Sequence, residues 1–442
     1  MSQPHDESLQ SSRPSTPKPE PTDTDPEKAV PKANLTEPAP SPPPDGGLQA
    51  WLVVLGGFCT VFASFGWINC IGIFQNYYQT DQLASYSPST VAWIPSTETF
   101  IMFFCGPITG ILGDTYGPRF PILLGSFLHV FGLMMTSISY EYYQIFLAQS
   151  VVSAAGCSFL FFPTLAAIGQ YFSKHRALAL GIAVSGSSIG GVILPIMVDR
   201  LIPRVGFGWA MRSLAFLILG LLVIGNILIK ARLPPPKRHF HLVDFVTPLT
   251  EVPFALLTAS SFFIYLGGFL PFTFVILQAR NEGMSTALAG YLVSILNGAS
   301  TFGRIIPAYF GDRYGVFNVM ILNTFFCGVF VLAVWLPSHS NAPVIMFSIL
   351  YGFVSGCTFS IIPAMVASIS DVRKLGARVG CLYAVSAVGA LIGSPTAGVI
   401  INRQNGGYQG LIIFSGIGLL VGTGLAVASR QALVGRKLVA KV

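Results

Sequence analysis

From about Asp45 onward, long apolar stretches alternate with short polar ones. The apolar stretches lie near residues 51–75, 89–112, 120–139, 143–168, 177–199, 208–229, 253–277, 287–310, 317–336, 342–369, 379–401 and 408–429. Each is roughly 20 residues long, and a helix of about that length crosses a ~30 Å hydrocarbon core at ~1.5 Å per residue. The stretches are continuously apolar, whereas a membrane strand alternates apolar and polar positions and must close into a barrel. The pattern therefore predicts an all-α membrane protein with twelve transmembrane helices.

The second half of the chain repeats the first. Gly113-Asp114-Thr115-Tyr116-Gly117 returns as Gly311-Asp312-Arg313-Tyr314-Gly315. Pro163 returns as Pro363, Gly181 as Gly380, Gly190 as Gly389 and Pro195 as Pro395, and every offset lies between 198 and 200 residues. A shared period at five places predicts two pseudo-symmetric six-helix bundles, residues 45–230 and 253–430. A linker at 231–252, containing Pro234-Pro235-Pro236-Lys237-Arg238, joins them. Repeats of this kind let two bundles rock about a site between them, the geometry of alternating access.

Charge adds an orientation. Only 10% of the residues are charged, and the mean hydropathy is +0.66, far from the roughly 25% charge of a soluble chain. The net charge of +7 does not gather into a stripe, which argues against nucleic acid as a partner. With the N-terminus inside, the inner loops and the C-terminal tail hold 15 Lys and Arg, and the outer loops hold Arg200, Arg204, Arg212, Arg280 and Arg403. That bias predicts both termini in the cytoplasm. It also predicts an unglycosylated sequon at Asn34-Leu35-Thr36. Residues 1–44 are polar and Pro-rich, so a disordered cytoplasmic tail is expected, with a second short tail at 431–442. The seven cysteines all fall in apolar stretches without metal-type spacing and are read as buried packing residues.

Three stretches carry a resemblance. Gly110-Ile111-Leu112-Gly113-Asp114-Thr115-Tyr116-Gly117-Pro118-Arg119 resembles the helix 2–3 loop of major facilitator transporters, with Thr115 where that family usually has a basic residue. Its chemistry is legible by itself: glycine permits a tight turn, Asp114 can meet helix N-terminal amides, and Arg119 holds the cytoplasmic face. Gly311, Asp312 and Arg313 are its second copy. Pro44-Asp45-Gly46-Gly47-Leu48-Gln49-Ala50-Trp51 resembles the start of helix 1 in monocarboxylate-porter proteins. Tyr171-Phe172-Ser173-Lys174-His175-Arg176-Ala177-Leu178-Ala179-Leu180-Gly181 and the residues through Ser187 resemble their helix 4–5 junction. The likeness is closest to a fungal branch that includes monocarboxylate permeases, riboflavin carriers and secondary-metabolite exporters. In the animal carriers of that family a lysine of helix 1 binds proton and anion; its place is Asn69 here. Helix 8 there has an Asp four residues before a substrate-binding Arg. The Arg is kept as Arg304, and the Asp position is Ser300. The resemblance therefore implies a carrier without implying lactate-type proton symport.

Arg304 is the first candidate for substrate binding. A charge inside a membrane helix costs about 2.5–3.5 kcal/mol on insertion scales, and a planar guanidinium can grip a carboxylate through two parallel bonds. A structural cap on neighbouring carbonyls is the alternative. Glu98, in helix 2, is a candidate proton carrier or a partner for Arg304, against a purely structural acid. Asn69, Asn297 and Tyr383, with Gln75, could line a cavity or simply join helices. His129 in helix 3 reads mainly as structural. Gly186-Ser187-Ser188-Ile189-Gly190 matches a hydrolase elbow but lies in an apolar helix, where no strand precedes it. No phosphate loop of the GxxxxGK[ST] type occurs, which argues against ATP-driven transport. The expectation is a secondary active transporter of a small organic anion or amphipathic metabolite, coupled to protons or exporting by antiport. It needs no cofactor, acts as a monomer in a lipid bilayer, and belongs to the plasma membrane. A non-transporting membrane sensor is the reading from another class, and no enzyme constellation is present.

Overall fold

A computed structural model describes residues 42–233 and 246–435. The tail up to residue 41 with its Asn34 sequon, the Pro-rich core of the linker, and the last seven residues lie outside the described residues. Among those described, no strand occurs.

Ten helical runs are long and apolar enough to cross a membrane. One of them, Arg176–Leu228, is two helices: Gly206 stands at φ 77, ψ 164, a conformation that breaks the helical path and that glycine reaches without a Cβ clash. One further helix, Thr286–Tyr314, is made more polar by Asn297, Ser300, Arg304, Asp312 and Arg313. The twelve are α1 (Leu48–Gln82), α2 (Thr90–Tyr116), α3 (Arg119–Thr136), α4 (Tyr142–Tyr171), α5 (176–205), α6 (207–228), α7 (Val252–Asn281), α8 (Thr286–Tyr314), α9 (Val316–Trp335), α10 (Asn341–Ser368), α11 (Val372–Arg403) and α12 (Gln409–Val434). Both ends of the described chain reach one face of the bundle, called the near face below.

Short connections force antiparallel neighbours. Gly117 (φ 81) and Gly315 (φ 98) make the matching turns after α2 and α8. Within the halves, α1 packs on α5, α3 on α4, α7 on α11 and α12, and α8 on α10. Between the halves, α5 packs on α8 and α2 on α11, so two equivalent seams join them. Among the described residues three helices carry π-helical segments: Tyr78–Gln82 at the far end of α1, Phe146–Ser153 in the first half of α4, and Val331–Trp335 at the end of α9.

The described chain opens at Pro42, which is tied to the near face. Arg232 Nη2 donates to the Pro42 carbonyl (2.7 Å), and its Nη1 donates to Gln170 O (3.0 Å). Asp45, at φ 51, then hooks over the α4–α5 junction: its Oδ1 accepts from the Ser173 and Lys174 amides (2.5 and 2.6 Å), and its amide donates to Tyr171 O (3.1 Å). Trp51 meets Phe172 edge-on at 5.2 Å. Two of the stretches that carry the family resemblance, far apart in sequence, thus form one structural unit. Six of the seven cysteines are buried and Cys105 is half-buried; all are reduced.

Candidate functional site

One face of α8 carries Asn297, Ser300 and Arg304, three and four residues apart, which stacks them on successive turns. All three are buried, with Arg304 2% exposed. They can be buried because the opposite helix, α5, presents small residues. A Cβ on Gly181 would run into the Arg304 carbonyl, and one on Gly191 would come within 3.0 Å of Asn297 Cγ. Side chains of polar residues fill the close approach. Arg304 Nη1 donates to the Val184 carbonyl (2.8 Å) and to Ser187 Oγ, and its Nε donates to Ser300 Oγ (3.3 Å). Ser188 Oγ donates to Ser300 Oγ (3.2 Å). Asn69, at the break in α1, donates to the Ser187 carbonyl (3.0 Å), and its Cβ also borders Gly191. Arg304, Asn69 and Asn297 are therefore gathered on one stretch of α5. Asn297 Nδ2 is spent on Val293 O (3.1 Å), while its buried Oδ1 has no partner among the described residues.

No carboxylate forms an ion pair with Arg304 among the described residues. Its guanidinium lies over the face of Phe65 at 6.0 Å, and Phe65 belongs to a cluster of aromatic rings. Phe65 touches Phe103 and Phe161, both at 5.8 Å between centroids. Tyr383 stacks on Phe103 at 5.4 Å and meets Phe161 and Phe162 edge-on at 5.9 and 5.5 Å, and Tyr265 closes the group at 5.5 Å from Phe103. The rings come from both halves: α1, α2 and α4 on one side, α7 and α11 on the other. Tyr383 thus joins the site as an aromatic wall; its hydroxyl makes a long bond to Phe359 O (3.5 Å) and a side-chain hydrogen bond with Tyr265.

Glu98 is held elsewhere. It is wholly buried inside the first half, accepting from Trp67 Nε1 and from Gln149 Nε2 (2.9 Å). The pairing of Glu98 with Arg304 weighed above does not form; its two oxygens already have donors from α1 and α4. His129 bridges the Ala63 carbonyl (3.1 Å) and Ser153 Oγ (2.9 Å), a satisfied packing position.

The repeated loop motif lies at the near face. Asp114 accepts from the Gly376 and Ala377 amides (3.1 and 2.8 Å), at the start of α11 in the other half. Asp312 accepts from the Ala177 and Leu178 amides (2.9 and 2.8 Å), at the start of α5. Each carboxylate meets the positive end of a helix, which is worth up to ~2 kcal/mol when partly buried. Gly113 lets α2 lie against Pro163, where a Cβ would come to 3.0 Å, and Gly311 does the same against Ile361 at 3.1 Å. Gly117 makes the turn. Arg119 and Arg313 are exposed, Arg313 leaning over Tyr314 at 5.8 Å. These bonds tie the two halves together at the near face.

Sequence reasoning missed Ser187, Ser188 and the clustered phenylalanines. The serines lie in the Gly186–Gly190 stretch, which reads as packing alone; only its register against α8 gives them Arg304. The phenylalanines carry no signal of their own among 35 in the chain. No group of three or more His, Cys, Asp and Glu that could hold a metal occurs among the described residues.

Twelve membrane-length helices, a buried cation where α8 meets α5 and a cluster of aromatic rings drawn from α1, α2, α4, α7 and α11 are the arrangement of a membrane carrier. A sequence profile of the Major Facilitator Superfamily matches residues 56–347 and 257–435. "MFS-type transporter 1" of Ophiocordyceps sp. (strain BCC 1869) is 49% identical over 403 residues, covering 91% of this chain and 90% of that one. The "Fujikurins efflux protein" of Gibberella fujikuroi (strain CBS 195.34 / IMI 58289 / NRRL A-6831) is 42% identical over 422 residues, covering 95% and 91%. The crystal structure of the transporter FucP in its outward conformation has the same fold, with a TM-score of 0.68 at 14% identity, covering 86% of this chain and 99% of that one. The chain belongs to the Major Facilitator Superfamily, and it is a multi-pass membrane transporter rather than an enzyme.

Proposed function

We propose that this transporter exports an amphipathic organic acid, a secondary metabolite, by secondary active transport. The observation that carries the reading is Arg304: a buried guanidinium between the halves, with no carboxylate partner among the described residues, beside a cluster of aromatic rings. A charge left inside a membrane protein without a counter-ion is a site for one. The neutral acceptors that hold it now, Val184 O, Ser187 and Ser300, are weaker partners than a carboxylate or an enolate would be. The cluster suits a ligand with an extended unsaturated body, since ring faces and edges attract one another beyond their buried area. Efflux relatives such as the fujikurins protein support the outward direction.

In this reading residues 45–230 and 253–430 are the two moving bundles and 231–252 the hinge between them. The near face is cytoplasmic, the membrane is the plasma membrane, and one chain suffices. Kinship with the monocarboxylate porters explains the retained Arg304; Asn69 and Asn297 would orient the ligand by hydrogen bonds. The test is uptake into proteoliposomes of short monocarboxylates, riboflavin and larger lipophilic aromatic acids, under an imposed pH gradient. An acid that moves in wild type and fails in Arg304→Ala supports the proposal. Equal flux in the variant would leave Arg304 a structural cap and remove the basis for an acidic substrate.

A further inference from the structure

The Glu98 site is not used by the reading above, and its surroundings ask for a second role. Glu98 Oε1 accepts from Trp67 Nε1 and Oε2 from Gln149 Nε2 at 2.9 Å; Gln149 Oε1 in turn accepts from the Tyr78 hydroxyl at 2.6 Å. All four side chains are buried. Two of them, Tyr78 and Gln149, sit on the only π-helical segments in the first half among the described residues. Such segments distort the regular ladder and recur at functional sites. The neighbouring Ser150 Oγ reaches across to the Ile94 carbonyl (2.8 Å), one turn before Glu98, and fastens α4 to α2 there.

Every element around the carboxylate can be named. Helix α1 brings Trp67 and Cys70, its π-helical end brings Tyr78, and α4 brings Gln149 and Cys157. Helix α3 sets His129 behind the Trp67 ring, 6.1 Å between centroids. Helix α11, on the other side of α2, places Tyr383 against Phe103. No Lys, Arg or His forms an ion pair with Glu98 among the described residues. Both carboxylate oxygens face N–H donors, and no counter-charge accompanies them among the described residues. A neutral acid would need an acceptor for its own O–H. Trp67 cannot supply one, because the indole N–H only donates. Gln149 can, if its amide turns over, and amides present either end at equal steric cost.

We propose that Glu98 is a proton-binding site of this transporter and that Gln149 transmits its state to Tyr78 by reversing its amide. With Glu98 ionised, Gln149 N–H2 donates to it and Tyr78 donates to the Gln149 carbonyl, as observed. When a water proton is taken up, the Glu98 O–H donates to the Gln149 carbonyl. The amide N–H2 then donates to the Tyr78 oxygen, and the hydroxyl proton of Tyr78 must find another acceptor at the far end of α1. No covalent bond other than that to the transferred proton changes. The inference deepens the transport reading by giving it a coupling ion, and it rests on that reading for its purpose only, because proton binding is measurable with no substrate present.

The experiment is infrared difference spectroscopy of the full chain in lipid nanodiscs, between acidic and alkaline buffer. The wild type should show the carbonyl stretch of a neutral carboxylic acid that disappears on the alkaline side, and Glu98→Gln should lack it. In Gln149→Leu the band should persist at a higher frequency, because its hydrogen-bond acceptor is gone. Tyr78→Phe, which removes one hydroxyl and keeps the ring contacts, should leave the band and shift it less. Identical spectra for wild type and Glu98→Gln would overturn the site; a band unmoved by Gln149→Leu would overturn the role of the amide. Missing flux in the transport assay with this band intact would count against the export reading alone.

Discussion

At the scale of single residues, Arg304 shows what sequence can and cannot reveal. Its place as a charge buried inside a membrane helix was legible because a guanidinium stood within an apolar run. Its neighbours were not, because serine is common and which serine faces it depends on the register of α5 against α8. The outcome is that a position read as a lost acid, Ser300, is a direct partner of Arg304 (3.3 Å). Two predictions belong here. Arg304→Lys keeps the charge but not the planar fork, so it should weaken transport of an acidic substrate tenfold or more, about 1.4 kcal/mol, measured as initial rates in proteoliposomes. Ser187→Ala removes an acceptor from a buried cation and should lower stability by about 1.5–3 kcal/mol, read as a fall in the melting temperature of the purified protein. Glu98 was equally conspicuous, but sequence alone offered Arg304 as its partner. Only the packing of α1 and α4 shows that its oxygens are already occupied.

At the scale of elements, the helices were legible because the membrane demands length and apolarity in a single run. The break at Gly206 was legible too, as a short gap in the apolar pattern. The π-helical segments were not: nothing in Tyr78–Gln82 or Phe146–Ser153 departs from ordinary helix-forming composition. The glycines of α2 and α11 do not reveal in sequence what they pack against. The structure pairs Gly106 with Gly380 and Gly110 with Gly376, backbone against backbone, along α2 and α11. Gly110→Val would drive a side chain into the Gly376 carbonyl. It should therefore hold the near face apart, and cysteines placed across the α2–α11 seam in that variant should cross-link poorly. A further tie at this face, between the starts of α7 and α11, is the Glu251–Arg378 pair, with Arg378 Nη1 donating to Glu251 Oε1 at 2.9 Å. The hydrogen bond from Arg378 holds the Glu251 carboxyl below its usual range. A depressed value means stabilisation that is present at neutral pH and is lost as pH falls through the folded value. Because Glu251 is largely exposed, solvent screens the pair, and Glu251→Gln should cost no more than about 1 kcal/mol and should flatten the acid limb of a melting-temperature profile.

At the scale of the whole molecule, the two-fold repeat is the feature that connects pattern to mechanism. It was legible as a period near 200 residues, and it places Asp114 and Asp312 at equivalent points of two seams. What the repeat could not supply is the asymmetry: the cation belongs to the second half, the buried acid network to the first. If Glu98 carries the coupling proton, Glu98→Gln should lose gradient-driven accumulation while keeping substrate exchange across the membrane. Proteoliposomes loaded with unlabelled substrate and assayed with and without a pH gradient separate the two, and an unchanged gradient response would exclude the coupling.

The pins at the near face are made by carboxylates that hold backbone amides and read no side chain. Ala377, Ala177 and Leu178 offer the same N–H group whatever replaces them, proline apart, whereas Gly376 has no room for a Cβ against Gly110 O and Asp114 Oδ1. As far as these hydrogen bonds go, a mutation at Ala377, Ala177 or Leu178 calls for no matching change in the opposite half. The descendants of the two duplicated halves can drift apart in sequence while the contact between them stays in place, and such a contact leaves no paired substitutions behind it in a lineage.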